Sequence, residues 1–133
     1  MFKPALVNAT LLGASAVIIG AFGAHYLKTI FTPEQLISFE TGVRYQFYHA
    51  LALTFTGILS FFYTGKYIKT ATWLFTIGTV LFSGSIYILN LLASKDIIGI
   101  KGLGIVTPIG GLCLIAAWIC LLFAINSKEV NTN

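Results

Sequence analysis

Apolar residues along this chain gather into four long runs separated by polar breaks. The first run, Ala5 to Ala24, holds about 20 residues, enough at 1.5 Å per residue for a helix to cross a hydrocarbon core of about 30 Å. Its small residues Ala16, Gly20 and Ala24 recur every fourth position, so they share one face, where another helix can approach closely. Whether that neighbour belongs to the same chain or to a second copy is not written in the sequence. Lys3 ahead of the run and Ala21-Phe22-Gly23 at its end imitate a cleavable signal peptide, but the apolar core is too long for one, and a retained anchor is expected.

A second helix is predicted to start at Thr32-Pro33-Glu34-Gln35, where Thr32 caps, Pro33 suits the first helical position and Gln35 completes a capping box. Nothing but a tolerable Gly42 interrupts it up to Tyr63, about 31 residues or roughly 46 Å, more than the hydrocarbon needs. Pro33 to about Val43 is therefore expected along the interface, with the span itself over about 44–63. The polar connection 64–70 is short, so the third segment, about 72–93, must run antiparallel to the second. Along it Thr72, Thr76, Thr79, Ser83, Tyr87 and Asn90 recur at helical spacing, a polar stripe expected to face the inside of a bundle. The stretch 94–104 mixes Lys95, Asp96 and Lys101 with isoleucines and reads as interfacial. A fourth span covers about 105–125, with Pro108 near its start and Gly110, Gly111, Cys113, Ala117, Cys120 and Ala124 as small residues. The expected fold is all-α: a polytopic membrane protein, one domain over 1–133, built as a four-transmembrane-helix bundle with a short interfacial helical extension before the second span.

Composition agrees with that pattern. Of 133 residues 57% are hydrophobic and 9% charged, and mean hydropathy is +0.90, which no soluble surface can cover with polar groups. The net charge of +4 is scattered between apolar runs and forms no basic stripe, so the expected partner of the lysines is membrane lipid and not nucleic acid. Cys113 and Cys120 lie two helical turns apart, about 10 Å, too far for a mutual disulfide. Lys3, Lys66, Lys69 and Lys128 stand on one side against Lys28, Arg44, Lys95 and Lys101 on the other, an even division that leans to cytoplasmic termini only when Arg44 is discounted as partly buried.

Polar groups at membrane depth are candidates for function because hydrocarbon penalises them. Glu40 and Arg44, four apart, can form an ion pair that seats the helix at the interface. His49 lies about 8 Å deeper than Arg44 and about 140° round the helix, opposite Glu40, so one helix cannot aim all three at a single ligand. It shares a face with Tyr45 and Thr56 and is expected to hold helices together by hydrogen bonding. Tyr45, Gln46, His25, Ser83, Tyr87 and Asn90 complete the candidate polar set. His25 and His49 belong to one leaflet, but no metal-ligand spacing surrounds them, and neither a metal nor another cofactor is expected. No nucleophile-and-base motif occurs.

Gly20-Ala21-Phe22-Gly23-Ala24-His25, then the run Phe39-Glu40-Thr41-Gly42-Val43-Arg44-Tyr45-Gln46-Phe47-Tyr48-His49-Ala50-Leu51-Ala52, resemble the YgdD/YwdK-like small bacterial inner-membrane proteins, the domain-of-unknown-function 423 family. Phe82-Ser83-Gly84-Ser85-Ile86-Tyr87 and Thr107-Pro108-Ile109-Gly110-Gly111 are similar to that family's later motifs, so the resemblance spans nearly the whole chain. The loop Ile97-Ile98-Gly99-Ile100 matches no pattern of the family. Membership implies a four-helix protein of the bacterial inner membrane, related to a small eukaryotic transmembrane protein, and carries no biochemical activity with it. Three readings of function follow. The first is a non-enzymatic packing or accessory component that assembles with itself or with a larger membrane complex through the small-residue faces. The second is a small transporter or channel along the polar face of the third helix, and the third a cofactor-binding protein using His25 and His49.

Overall fold

A computed structural model describes residues 1–63, 65–97 and 102–127. The chain is all-α: α1 (Lys3–Ala24), α2 (Pro33–Leu59), α3 (Lys66–Ala93) and α4 (Leu103–Asn126), with a 3₁₀ turn at Leu27–Thr29 between α1 and α2. Helices α1, α3 and α4 are long and apolar enough to cross a membrane. At 27 residues α2 is as long as they are, but it carries Glu34, Glu40, Arg44, Gln46 and His49, which lower its hydropathy. Residues 98–101 of the predicted interfacial stretch 94–104 lie outside the described residues, as does Lys128.

The start of α2 is the capping box expected. Thr32 Oγ1 accepts from the Gln35 backbone N–H at 3.3 Å, and Gln35 Oε1 accepts from the Thr32 N–H at 2.9 Å. The exposed Glu34 carboxyl is held below the usual carboxylate range by its own backbone N–H and then by the Thr32 hydroxyl, so it stays ionised where the helix dipole favours a negative charge. The end of α2 differs from expectation: it stops at Leu59 instead of reaching Tyr63. Ser60 Oγ donates to the Gly57 carbonyl at 2.6 Å and accepts the Phe2 N–H at 2.8 Å, and Phe61, Phe62 and Tyr63 bond back as turns. The chain then reverses at Gly65, whose φ of +120° suits glycine, and α3 begins at Lys66, well before residue 72. Pro108 sits in the second turn of α4 and not the first, so it leaves the carbonyl four residues back, that of the exposed Gly104, without a helical donor.

The helices form a row more than a closed square. Helix α1 packs on α2, α2 on α3, and α3 most extensively on α4, while α4 hardly touches α1 or α2. Small residues set these distances. On α1, Ala5, Ala9, Ala16 and Gly23 are buried. A Cβ at Gly20 would press on Val43, and one at Gly23 would stand 2.9 Å from the Phe39 ring. The predicted face of α1 is thus taken up by this chain's own α2, with Gly23 in the place expected for Ala24, which is exposed. Gly110, Leu114, Ala117, Leu121 and Ala124 of α4 are buried at alternating spacings of four and three. Gly78 of α3 lies directly under Leu114, and a Cβ on Gly110 would run into the Phe82 backbone. Around these crossings Leu53, Ala71, Phe75, Leu114 and Ala117 form the core. Where α1 turns into α2, Leu27, Phe31 and Phe39 form a second cluster.

Gly110→Ala should therefore push α3 and α4 apart and lower stability by about 1–3 kcal/mol, the usual cost of overpacking. Gly84→Ala, where an added methyl meets open space, should leave stability unchanged or raise it by up to about 1 kcal/mol through helix propensity. Unfolding of both variants in mixed micelles checks the pair.

Candidate functional site: a polar junction at mid-bundle

Gln46 lies near the middle of α2 and is 4% exposed. Its Nε2 donates to the Leu12 carbonyl at 2.9 Å and to Ser15 Oγ at 2.8 Å, both on α1. Its Oε1 accepts the Tyr87 hydroxyl of α3 at 2.8 Å. Ser15 passes its own proton to the Leu11 and Leu12 carbonyls, which leaves its oxygen free to accept from Gln46. One amide side chain thus ties three helices together, and the bonding pattern fixes which end is nitrogen.

Further links extend this seam along the bundle. Ser83 Oγ donates to the Gly42 carbonyl at 2.8 Å. Asn90 Nδ2 donates to Ser38 Oγ at 3.1 Å and to the Ile86 carbonyl at 2.8 Å. Asn8 Nδ2 of α1 reaches Thr76 Oγ1 of α3 at 3.0 Å, and Ser85 and Thr107 join α3 to α4 at 2.6 Å. Gly42 is required here, because a Cβ would sit 2.8 Å from the Tyr87 ring. The remaining hydroxyls of the stripe bond within their own helix: Thr72 to Ile68, Thr76 to Thr72 and Thr79 to Phe75. Among the described residues every fully buried polar side-chain atom has a partner, as hydrocarbon surroundings demand.

Of the predicted polar residues, Gln46, Ser83, Tyr87 and Asn90 therefore come together in one seam. Glu40 and Arg44 do not pair: both are exposed, and Arg44 instead makes a long 3.4 Å contact with Thr41 Oγ1. For side chains this exposed, solvation competes with an ion pair, and helical spacing alone does not make one. His49 is buried but binds its own helix through the Tyr45 carbonyl, at 2.7 Å from Nδ1, so it does not bridge helices as expected. His25 is exposed where α1 ends and makes no contact with His49. Among the described residues no group of three His, Cys, Asp or Glu could hold a metal ion; Cys113 and Cys120 are free thiols.

Sequence reasoning missed Asn8, Ser15, Ser38 and Thr107, the partners that complete the seam. A signal existed for two of them: Asn8 and Ser15 interrupt an apolar run and stand seven apart, two turns, on one face of α1.

A family model described as a protein of unknown function (DUF423) matches residues 19–111. The chain is 41% identical over 119 residues to the UPF0382 membrane protein YwdK of Bacillus subtilis, covering 89% of each chain. It is 40% identical over 118 residues to a UPF0382 membrane protein of Staphylococcus haemolyticus, with 86% of this chain and 91% of that one covered. A UPF0382 membrane protein of Haemophilus influenzae is 36% identical over 118 residues, covering 89% and 90%. No solved structure matches.

Replacing Gln46 by Leu strands the Tyr87 hydroxyl and the Ser15 oxygen in apolar surroundings and should cost about 1–3 kcal/mol. In a double-mutant cycle with Tyr87→Phe, unfolding in mixed micelles should return a coupling of about 1 kcal/mol.

Proposed function

We propose a role for a chain that belongs to the DUF423 family of bacterial membrane proteins: it is a non-enzymatic, multi-pass accessory component of the inner (plasma) membrane that works by assembling with itself or with a larger membrane complex. The observation that carries this reading is the division of labour between polar and apolar groups. The polar side chains of the seam are engaged in joining helices, which leaves none of them free to act on a substrate. The surface left over is apolar: α4 leans on α3 alone and exposes Leu112, Ile119, Leu122 and Phe123. Because Ala16, Gly20, Gly110 and Ala117 already serve contacts within the chain, assembly uses this outer flank in place of the small-residue faces.

In this reading α2 crosses the bilayer as the fourth span. Its outward residues Phe47, Leu51, Phe55 and Ile58 are apolar, while Gln46, His49 and Thr56 are buried. Both chain ends then lie on the same side of the membrane. Reporter fusions at residues 1 and 133 should report one compartment; opposite compartments would reduce α2 to an interfacial helix.

A transporter reading draws on the polar face of α3, but the Thr72, Thr76 and Thr79 hydroxyls are each bonded to a carbonyl of α3 itself. Crosslinking in native membranes followed by gentle solubilisation should recover a stoichiometric oligomer or complex, and reconstituted vesicles should show no ion or proton flux above empty controls. A lone monomer under every mild condition, or saturable flux, would contradict the assignment.

A further inference from the structure

Because α4 packs on α3 alone, a gap remains between it and α2. The gap is a cleft of about 350 Å³ lined by Tyr45 and His49 of α2, Phe82 of α3, and Gly111, Leu114, Ile115 and Trp118 of α4. These residues sit near the middle of their helices, and Tyr45, Ile115 and Trp118 at the rim are exposed, so the mouth opens sideways into hydrocarbon.

At 7% exposure, His49 is more than nine-tenths buried. A carbonyl only accepts, so the 2.7 Å contact with the Tyr45 oxygen puts the proton of the neutral ring on Nδ1. Nε2 is then an acceptor, and among the described residues nothing donates to it. Among the described residues every fully buried polar side-chain atom has a partner, so Nε2, which has none, keeps some exposed surface on a ring that lines the cleft. An unanswered acceptor in hydrocarbon is costly, and a ligand that donates to it removes that cost.

The walls are aromatic and uncharged. Tyr45 stacks on Phe82 with centroids 4.7 Å apart, Trp118 stands edge-on to Phe75 at 5.1 Å, and Gly111 leaves the Phe82 ring uncovered, its missing Cβ lying 3.7 Å away. No lining residue is ionic, so a phosphate or carboxylate would enter unpaired. We propose that this cleft binds a neutral aromatic lipophile bearing a hydroxyl, a phenol or hydroquinone ring, which lies between Phe82 and Trp118 and donates to His49 Nε2. The volume falls at the lower end of small-molecule sites, suited to one substituted ring. This site goes beyond the assembly role of the outer flank and does not depend on it.

The test uses the full-length protein in detergent micelles with Trp73→Phe, which leaves Trp118 as the reporter. The probes are 3-bromo-5-heptylphenol and its methyl ether, whose bromine quenches nearby indole. Quenching should saturate, with the phenol binding about tenfold more tightly than the ether, the discrimination one hydrogen bond supplies. His49→Phe should abolish that preference and His49→Gln, which keeps an acceptor, should retain part of it. Gly111→Leu, whose Cβ would meet Phe82 at ordinary contact distance, adds bulk to the cleft wall and should remove saturable quenching by both probes while the protein stays folded. Unsaturable quenching equal for both probes, a preference that survives His49→Phe, or displacement by 1-decanol as effective as by 4-heptylphenol would each overturn the proposal.

Discussion

Hydrocarbon offers no hydrogen bonds, and that one constraint organises this molecule. Helices satisfy their own backbones, but Gln46 brings an amide with two donors and two acceptor sites to the middle of α2. It is tolerable there because α1 presents a carbonyl and a hydroxyl and α3 presents a phenol at 2.8–2.9 Å. The three helices must keep a shared register for those bonds to form together. Gly42 admits the Tyr87 ring and the Ser83 bond from the other side, so sterics and hydrogen bonding specify the same alignment of α2 on α3.

Helix α4 is held differently. Its junction with α3 rests on shape: Gly78 and Gly110 let the backbones close, and Leu114, Ala117 and Leu121 follow along the seam, with the Ser85–Thr107 bond near its start. In lipid there is little hydrophobic reward for helix association, so close packing of small residues is what attaches such a helix. Attachment along one side only leaves the rest of α4 apolar and uncovered. It also leaves the gap in which the buried His49 stands among aromatic walls. An open flank and a lateral cleft are two results of the same lopsided packing.

Much of this was legible from the residues. The capping box at Thr32 and Gln35, the inward stripe of α3 and the packing positions Ala16, Gly20, Gly110 and Ala117 follow from local spacing, which a helix turns into geometry without outside help; Ala24, Cys113 and Cys120, placed on the same faces, are not buried. What was not legible depended on partners remote in sequence. Ser60 ends α2 in company with the N–H of Phe2, and nothing near Ser60 announces it. Glu40 and Arg44 have the spacing of an ion pair, but spacing only permits a pair, and at an exposed flank solvation competes with it. For His49, helix periodicity placed it on the inner side; that its bond closes within α2, through Tyr45, was a choice of rotamer. The family likeness supported the four-helix plan but could not say which polar residues meet.

The packing of α1, α2 and α3 depends on a Gln46 that is buried in the bilayer and bonded to both α1 and α3. Exchange of its side-chain amide protons with deuterium, followed by solid-state NMR in lipid, tests this directly. The junction requires those protons to persist long after the exposed Asn126 side chain has exchanged, with through-space contacts to Ser15 and Tyr87. Exchange of Gln46 as fast as Asn126, with neither contact present, would contradict the account.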